Sequence, residues 1–370
     1  MKLKKRILII LFAAFVALAG CGRGDKNDSK EPAATVTPTA AVTGEPTATA
    51  TPTSTPTPSP SPTPEPYTYN PHVYPAMLSA DYGPEYRETF YKLCDALRAG
   101  KDTFECPNED VYKWCTDIVT LNHLSPYACT RVTPESPDGT ASFADGIGRI
   151  YYKIDPAEFV KGQQEFEQMV TDILAASGVN HDYSNFEKSF ALYNYIVSNY
   201  DYDYEGEKHT EGAVYHTFVT KKGICCDYGA MYAYLLLQVG IDAVEVQTFG
   251  DNYHAWTLAN IDGDNVHLDP TWGLKEDNTR RAFKLEYFMM NDDDRASHGY
   301  PADKLQAPLT PYFFASQSHY DYTVKAVTFS FPADTYFTGC DFEKNEVYYR
   351  EGVDETGAPD LIMFYYESKD

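Results

Sequence analysis

The segment that decides the fold begins at residues 221–230, which read KKGICCDYGA. Two adjacent cysteines follow a glycine there and precede an apolar run that extends to Val239 and is followed by Gly240. So apolar a run predicts a helix that is buried on all sides, with Gly240 at its C-terminal end. The cysteines therefore lie where free backbone N–H groups and the helix dipole stabilise a thiolate or an oxyanion.

Strand-like segments alternate with turns after this helix. Asp262-Gly263 is a hairpin signal between the second and third segments, which predicts an antiparallel pair preceded by a further strand. The expected strands are residues 243–248, 254–260 and 266–269, with a turn at 250–252.

The register of the hairpin decides whether two polar residues can meet. A turn through Asp262-Gly263 places Trp256 opposite Asp269, so that His254 and Asp269 point to one face as diagonal neighbours. A four-residue loop keeps this parity, whereas a three-residue loop would put them on opposite faces.

A cysteine with an unshifted pKa is mostly protonated at neutral pH and needs a base to become a nucleophile. His254 can supply that base, and Asp269 can orient its ring. The alternative is that the cysteines and the histidine are ordinary packing residues, but three matching groups in this order favour a catalytic triad.

The motifs of this segment resemble a known family. The segment contains G-I-C at 223–225, Tyr228, H-A-W at 254–256 and D-P-T-W at 269–272, in that order. They are similar to the core of the transglutaminase-like superfamily, whose members include transglutaminases, cysteine proteases and peptide N-glycanases. The resemblance extends over roughly residues 186–300 and includes a YFMMNDDD segment that looks like the family's tail.

The resemblance implies a fold and three roles. Cys225 would be the nucleophile because the family's nucleophile follows Gly-X, His254 the general base and acid, and Asp269 the orienting carboxylate. The implied fold is an α+β, papain-like core in which the helix of Cys225 packs on an antiparallel sheet.

Cys226 departs from the family pattern, in which a polar residue or glycine commonly follows the nucleophile. Its presence leaves redox masking open. One residue further along a helix turns the side chain about 100° around the axis. We therefore expect Cys226 to point away from the imidazole and into the helix packing.

Other residues near the motifs have simpler explanations. Trp256 and Trp272 are expected to be core walls, and His267 shares the face of Asp269 by parity but is expected to be a packing residue. The aromatic run YDYDY at 200–204 could line a substrate groove or form an amphipathic edge. No substrate-binding residue can be named.

Residues 1–20 are typical of a secretory signal, with four basic residues before a short apolar run. The sequence Leu18-Ala19-Gly20-Cys21 resembles the lipobox of bacterial lipoproteins, which implies that Cys21 is lipidated and anchors the protein to the membrane. An ordinary signal peptide is the alternative.

Residues 21–66 are rich in Thr, Pro, Ala and Ser and have too few large apolar residues to fold. A polyproline II chain of this length, at about 3.1 Å per residue, reaches about 140 Å when fully extended and could hold a domain roughly 100 Å from the membrane. We therefore expect an extracytoplasmic domain held away from the membrane across a thick wall, as in Gram-positive bacteria.

The remainder predicts three regions: a mostly helical subdomain at 67–180, the catalytic core at 181–300 and a strand-rich extension at 301–370. Helices are expected at 82–99 and 111–119 and along apolar stripes at 159–174 and 186–197, with a strand at 149–154.

Charge limits the possible partners. The chain has 30 Lys and Arg against 54 Asp and Glu, a net charge of −24, which becomes −28 once the four basic residues of the leader are removed. Such a surface disfavours nucleic acid. The expected partners are a protein or peptide substrate and, through Cys21, the membrane. The oligomeric state is not indicated.

Cysteine usage predicts no metal site. The chain contains no CxxC pair and no calcium loop, so no metal or other cofactor is expected. Cys94, Cys106, Cys115 and Cys129 could form disulfides in three pairings or could be buried thiols, and Cys340 is equally open.

Two functions follow from this pattern. The first is a cell-surface amide hydrolase or acyl transferase that works through a thioester, as a peptidase, an amidase or a crosslinking transglutaminase; hydrolysis is favoured, and a peptidoglycan peptide is one variant of the substrate. The second is a silent transglutaminase-like scaffold that binds cell-wall polymer or a partner protein.

Overall fold

The computed structural model describes residues 65–205, 213–248, 253–274, 283–300, 305–310, 324, 330–351 and 361–364 of the 370-residue chain. The predicted signal, Cys21 and nearly all of the linker lie outside these residues, as does the predicted turn at 250–252. Residues 64–370 form one compact unit.

Helices and mostly antiparallel strands make this an α+β protein. The α-helices are α1 (Pro84–Arg98), α2 (Glu109–Thr116), α3 (Ile118–Leu124), α4 (Pro156–Ser177), α5 (Asn185–Asn199), α6 (Ala213–Thr220), α7 (Cys225–Gln238), α8 (Pro270–Gly273) and α9 (Asp292–Ser297). Short 3-10 helices lie at Ala76–Ala80 and Phe342–Lys344.

The strands are short outside the core. They are β1 (Thr103–Glu105), β2 (Val132–Thr133), β3 (Phe143–Ala144), β4 (Ile147–Arg149), β5 (Tyr151–Tyr152), β6 (Asp201–Tyr202), β7 (Lys222–Gly223), β8 (Ala243–Thr248), β9 (His254–Ile261), β10 (Asp264–Leu268), β11 (Thr335–Asp341), β12 (Glu346–Glu351) and β13 (Leu361–Phe364). The described sheets have the orders β10-β9-β8, β1-β4-β3 and β11-β12-β13, with the pairs β2–β5 and β6–β7.

Helix α7 is the centre of the core. Every residue from Tyr228 to Gln238 is buried, as the apolar run predicted. One side of the helix faces β8 and β9, and the other faces α5 and α6. Tyr232 on α7 donates a hydrogen bond of 2.7 Å to the carbonyl of Ser189 on α5, which satisfies a hydroxyl that would otherwise be buried without a partner.

The contact between α7 and β9 is made through Gly229. A Cβ at this position would lie 3.1 Å from the carbonyl carbon and oxygen of Trp256 and 3.1 Å from Cγ of Glu245. Thr257 donates a hydrogen bond of 2.8 Å from its hydroxyl to the Gly229 carbonyl. The helix therefore lies against the backbone of the strand, and this fixes the start of α7 relative to the start of β9.

The hairpin has the register that the sequence predicts. Asp262 and Gly263 have φ angles of 54° and 101°, as a two-residue turn of the primed type requires. Leu268 pairs with Thr257, so Asp269 follows at the position opposite Trp256. The parity argument that puts His254 and Asp269 on one face is confirmed.

The expected strand at 149–154 is wrong as a single element. The chain pairs with β1 and β3 up to Arg149 and then with β2 from Tyr151. Ile150 between them is buried, and its N–H donates to the carbonyl of Asp102. The chain thus changes sheets at Ile150, and an apolar pattern alone cannot mark such a change.

The four cysteines of the N-terminal region are free thiols and buried, so the disulfide alternative is wrong. Cys340 is also free and is exposed. Burial of Cys94 and Cys115 raises the pKa of both thiols, as expected for cysteines that act as small apolar side chains.

We expect the substitution Gly229→Ala to lower the free energy of unfolding by about 1–2 kcal/mol because the new methyl group meets the Trp256 backbone. Helix propensity alone would change stability in the opposite direction, by about 1 kcal/mol. Urea unfolding followed by circular dichroism measures the sign. Thr257→Val, which removes one hydrogen bond without adding volume, provides the comparison, and a more stable Gly229→Ala would contradict the close packing.

Candidate active site

Cys225 is the first residue of α7, and its side chain is only 8% exposed. The preceding Ile224 is extended, with φ −105° and ψ −179°. Asp227 accepts a hydrogen bond of 2.9 Å from the Ile224 N–H, and burial raises the pKa of this carboxyl to about 7. The thiol of Cys225 therefore lies at the positive end of a helix dipole.

His254 begins β9, and Asp269 follows β10. Nε2 of His254 lies 2.7 Å from Oδ2 of Asp269, and both side chains are buried. His254 also interacts with the Cys225 thiol and lowers its pKa. Because Nε2 is engaged by the carboxylate, Nδ1 is the nitrogen left for sulfur. The structure thus brings Cys225, His254 and Asp269 together in the order that a triad requires.

The carboxylate is held from several sides. The backbone N–H of Trp272 donates to Oδ1 of Asp269 at 3.3 Å, and the Tyr193 hydroxyl donates to the Asp269 carbonyl at 3.2 Å. A Cβ on Gly273 would lie 2.1 Å from that hydroxyl oxygen, so only glycine fits this turn. These contacts fix the direction of the carboxylate.

The pKa of Cys225 lies well below its ordinary value. The largest cause is a hydrogen bond with the Cys226 thiol, and the hydrogen bond and charge of His254 and the N–H of Ala255 act in the same direction against burial. Burial acts against the charged form of His254, but Asp269 and Cys225 outweigh it and raise the pKa of His254 to about 9. A thiolate–imidazolium pair is therefore favoured near neutral pH.

The expectation that Cys226 packs among the helices is wrong. Its half-buried side chain lies beside the Cys225 thiol and 3.7 Å from Oδ1 of Asp227 rather than in the helix packing. Side chains at the start of a helix lean toward its N-terminus, so that two successive residues there can meet. The hydrogen bond with Cys225 raises the pKa of Cys226 well above its ordinary value, which makes it a donor and a poor nucleophile.

Aromatic rings surround the pair. Trp256 is fully buried, as expected, but Trp272 is 47% exposed and packs edge-on against His254 at 5.8 Å, so it is a rim residue and not a core wall. Tyr300 lies 4.8 Å from the same imidazole. On the side of the thiol, burial and the nearby Cys225 raise the pKa of Tyr202.

The YDYDY run takes part in this rim. Tyr202 lies on β6, which pairs in parallel with β7 just before Cys225. Tyr204 is 86% exposed, and its ring centroid lies 5.0 Å from that of Tyr202. These rings are placed beside the thiol, as a substrate groove would require.

His267 packs behind the site, as expected. Its Nδ1 accepts a hydrogen bond of 3.0 Å from Trp256 Nε1, and its Nε2 lies 2.9 Å from Oδ1 of Asp292. The ring is completely buried, and burial lowers its pKa. It supports Trp256 from the side of α9.

Sequence reasoning missed Arg295 on α9. The side chain is fully buried, and Nη1 donates a hydrogen bond of 3.0 Å to Oδ2 of Asp269, the oxygen that also binds His254. Arg295 follows three aspartates, a context that is typical of an exposed charged segment. The apolar YFMM segment just before it was the available sign that this stretch enters the core.

Within the described residues, no group of three or more His, Cys, Asp or Glu is arranged to hold a metal ion. The triad itself offers one thiol, one imidazole and one carboxylate, and the imidazole and carboxylate are hydrogen-bonded to each other.

Comparison with known proteins agrees with this geometry. The family model of the transglutaminase-like superfamily matches residues 172–270, which include Cys225, His254 and Asp269. The α+β fold therefore contains a transglutaminase-like core. A crystal structure from Cytophaga hutchinsonii, described as a "Putative Cysteine Protease", matches with 21% identity and a TM-score of 0.24 over 28% of this chain and 37% of that one. Among curated proteins there is no match.

We expect iodoacetamide to alkylate Cys225 at a rate that varies little from mildly acidic pH to about pH 9. The thiol ionises well below its ordinary pKa, and the imidazolium that stabilises the thiolate persists until the pH approaches its pKa of about 9. His254→Ala should raise the thiol pKa and slow the reaction at pH 6 by at least about tenfold. Rates against pH, with peptide mapping of the label, measure both effects.

Matched substitutions distinguish the roles of Cys225 and Cys226. Cys226→Ser keeps a hydroxyl donor and should leave the fast reaction of Cys225 nearly unchanged, whereas Cys226→Ala should raise the pKa of Cys225. A fast label on Cys226 that survives Cys225→Ala would show that the nucleophile is assigned to the wrong residue.

Proposed function

We propose that this protein is a cysteine-dependent amide hydrolase or acyl transferase that acts on a protein or peptide. The observation that carries the proposal is the arrangement in which Cys225 interacts with His254 and His254 is hydrogen-bonded to Asp269, within a transglutaminase-like core. The directions of the two pKa shifts support nucleophilic catalysis, since the pKa of the Cys225 thiol is lowered and the pKa of the His254 imidazole is raised.

The first half of the reaction forms a thioester. The Cys225 thiolate attacks the amide carbonyl, a sulfur–carbon bond forms, and the carbonyl electron pair moves to oxygen. The N–H groups at the start of α7 are suitable donors to that oxyanion. When the tetrahedral intermediate collapses, the carbon–nitrogen bond breaks and the His254 imidazolium gives its proton to the leaving amine.

The second half regenerates the thiol. Neutral His254 removes a proton from water or from an amine, which attacks the thioester carbonyl and releases Cys225. Water yields a carboxylic acid, and a lysine amine yields a new amide crosslink. Hydrolysis is the favoured outcome here, because the chemistry needs no second substrate, and transamidation is the alternative within the same mechanism.

The rim supports a polypeptide substrate. Trp272, Tyr253 and Tyr204 are the exposed aromatic residues nearest the triad among the described residues. Tyr253 is adjacent to His254 and is hydrogen-bonded to Cys226. Exposed aromatic side chains of this kind bind extended chains at a low entropy cost. A silent scaffold would have no use for the shifted pKa values of Cys225 and His254.

The cell-surface location is part of the proposal. Among the described residues, no helix is both long and apolar enough to cross a bilayer. Lipidation of Cys21, followed by the linker to residue 66, would place the active site outside the membrane and roughly 100 Å from it. Substrates would then be surface or secreted polypeptides, including peptides of the wall.

We expect an acyl-enzyme to form at Cys225 with a peptide library as the acyl donor. Intact-mass spectrometry after acid quench should detect a thioester in the wild-type protein and none in Cys225→Ala, because Cys225 is the proposed nucleophile. Addition of a fluorescent primary amine decides between outcomes: free acid at all amine concentrations indicates hydrolysis, and amine-linked product indicates transfer. Absence of any thioester and any product would favour the scaffold function.

Substitution of Cys21 by serine should release the full-length protein from the membrane, because the acyl chains that hold it there can no longer be attached. Cell fractionation and immunoblotting measure the distribution. Cys340→Ser is the matched control, since it removes an exposed thiol far along the chain and should leave the protein anchored. Retention of Cys21→Ser in the membrane would exclude the lipid anchor.

A further inference from the structure

Arg295 has an unusual environment. Its side chain is fully buried, and its guanidinium carbon lies 3.9 Å from the ring centroid of Trp256 and 5.3 Å from that of Tyr300. Nη1 donates to Asp269, but Nε and Nη2 have no hydrogen-bond partner among the described residues. A buried arginine with two unused donors contributes little to stability. Its positive charge is therefore the property that its position has to explain.

Arg295 and His254 share one oxygen. Nε2 of His254 lies 2.7 Å and Nη1 of Arg295 lies 3.0 Å from Oδ2 of Asp269, so the two nitrogens are less than about 6 Å apart. A single carboxylate oxygen therefore pairs with two cationic groups. At this separation a fixed positive charge acts strongly on the protonation of a buried imidazole.

Charge balance over the reaction explains why a second cation is useful. With Arg295, the resting site holds a thiolate, an imidazolium, a carboxylate and a guanidinium, and its net charge is zero. In the acyl-enzyme Cys225 and His254 are both neutral, and Asp269 and Arg295 still cancel. Without Arg295 the buried site would carry one uncompensated negative charge in both states, which is costly in a dry interior.

Resting on the proposed function, we propose that Arg295 is a positioning residue that holds Asp269 ionised and in place while it restrains the basicity of His254. Asp269 alone would make the imidazolium so stable that it gives up its proton reluctantly. Arg295 counters part of that effect, so that His254 can protonate a leaving amine and then act as a base again.

Other titratable groups face His254, Asp269 and Arg295 and contribute to the electrostatic potential there. Besides Cys225, they come from α5, the segment 285–290, α9 and the segment after it. They are Tyr193, Glu286, Tyr287, Asp294, His298 and Tyr300, with His267 behind Trp256. Arg295 is the only cation among them that keeps its charge at every pH of interest.

The experiment compares Arg295→Met, Arg295→Gln and Arg295→Lys in the full chain, with NMR titration of the His254 imidazole as the readout. The two neutral variants should raise the pKa of His254 by about one unit, the order expected for removal of one charge less than about 6 Å away. Arg295→Gln keeps an N–H donor to Asp269 and so separates charge from hydrogen bonding. Arg295→Lys keeps the cation and should leave the His254 pKa within about 0.3 unit of wild type.

Arg131→Met is the matched control. Arg131 lies 4.1 Å from the Tyr127 ring centroid and 4.3 Å from that of Tyr215, so its removal costs a cation–π contact of the same kind far from the triad. Its His254 titration should be unchanged. The rate of Cys225 alkylation against pH gives a second readout. The upper end of the pH range over which this rate varies little should move to higher pH in the neutral variants.

The outcomes are distinct. A fall in the His254 pKa in the neutral variants would mean that Arg295 only keeps Asp269 ionised and in place, without lowering the basicity of His254. This would overturn the proposal. A shift in Arg295→Lys as large as in Arg295→Gln would overturn it as well. If the neutral variants do not fold, a shift of about one unit or more in Arg295→Lys overturns it alone. Because the titration uses no substrate, failure of the proposed function would show separately, as absence of a thioester in a protein whose His254 pKa still responds to Arg295.

Discussion

The approach of one helix to one strand backbone controls the arrangement of this protein. At Gly229 the helix that begins with Cys225 lies directly against the carbonyl of Trp256, and Thr257 ties the two together by a hydrogen bond. Since Cys225 is four residues before the contact and His254 two residues before it, the same contact sets the distance between thiol and imidazole.

The polar groups that are present form a line of alternating charge. It runs from the Cys225 thiolate through His254 and Asp269 to Arg295 and involves α7, β9, the end of β10 and α9. Each buried charge is therefore next to an opposite one, which is the condition under which ions are tolerated in an interior. The segment after the hairpin is as much a part of the site as the three motif residues, although it lies beyond the region that matches the superfamily.

Much of the centre of the fold could be predicted because its signals are local. The apolar run to Val239 requires a buried helix, and Asp262-Gly263 fixes a turn whose parity places His254 with Asp269. The outcomes that were not predicted depend on long-range packing. Arg295 looks solvated until α9 is seen to fold over Trp256, and Trp272 looks like a core residue until the short helix α8 turns it to the surface. Cys226 depends on the direction of side chains in the first turn of a helix.

The parallel pairing of β6 with β7 has a consequence for how such a site can diversify. Asp201 and Tyr202 are joined to Lys222 and Gly223 immediately before Cys225, so the excursion of the chain between them is closed at its base. Because this pairing holds the two ends of the excursion together, a change of length or sequence after Tyr202 need not move Cys225. Evolution can therefore change the substrate selectivity through the segment that follows Tyr202 while the catalytic residues keep their positions.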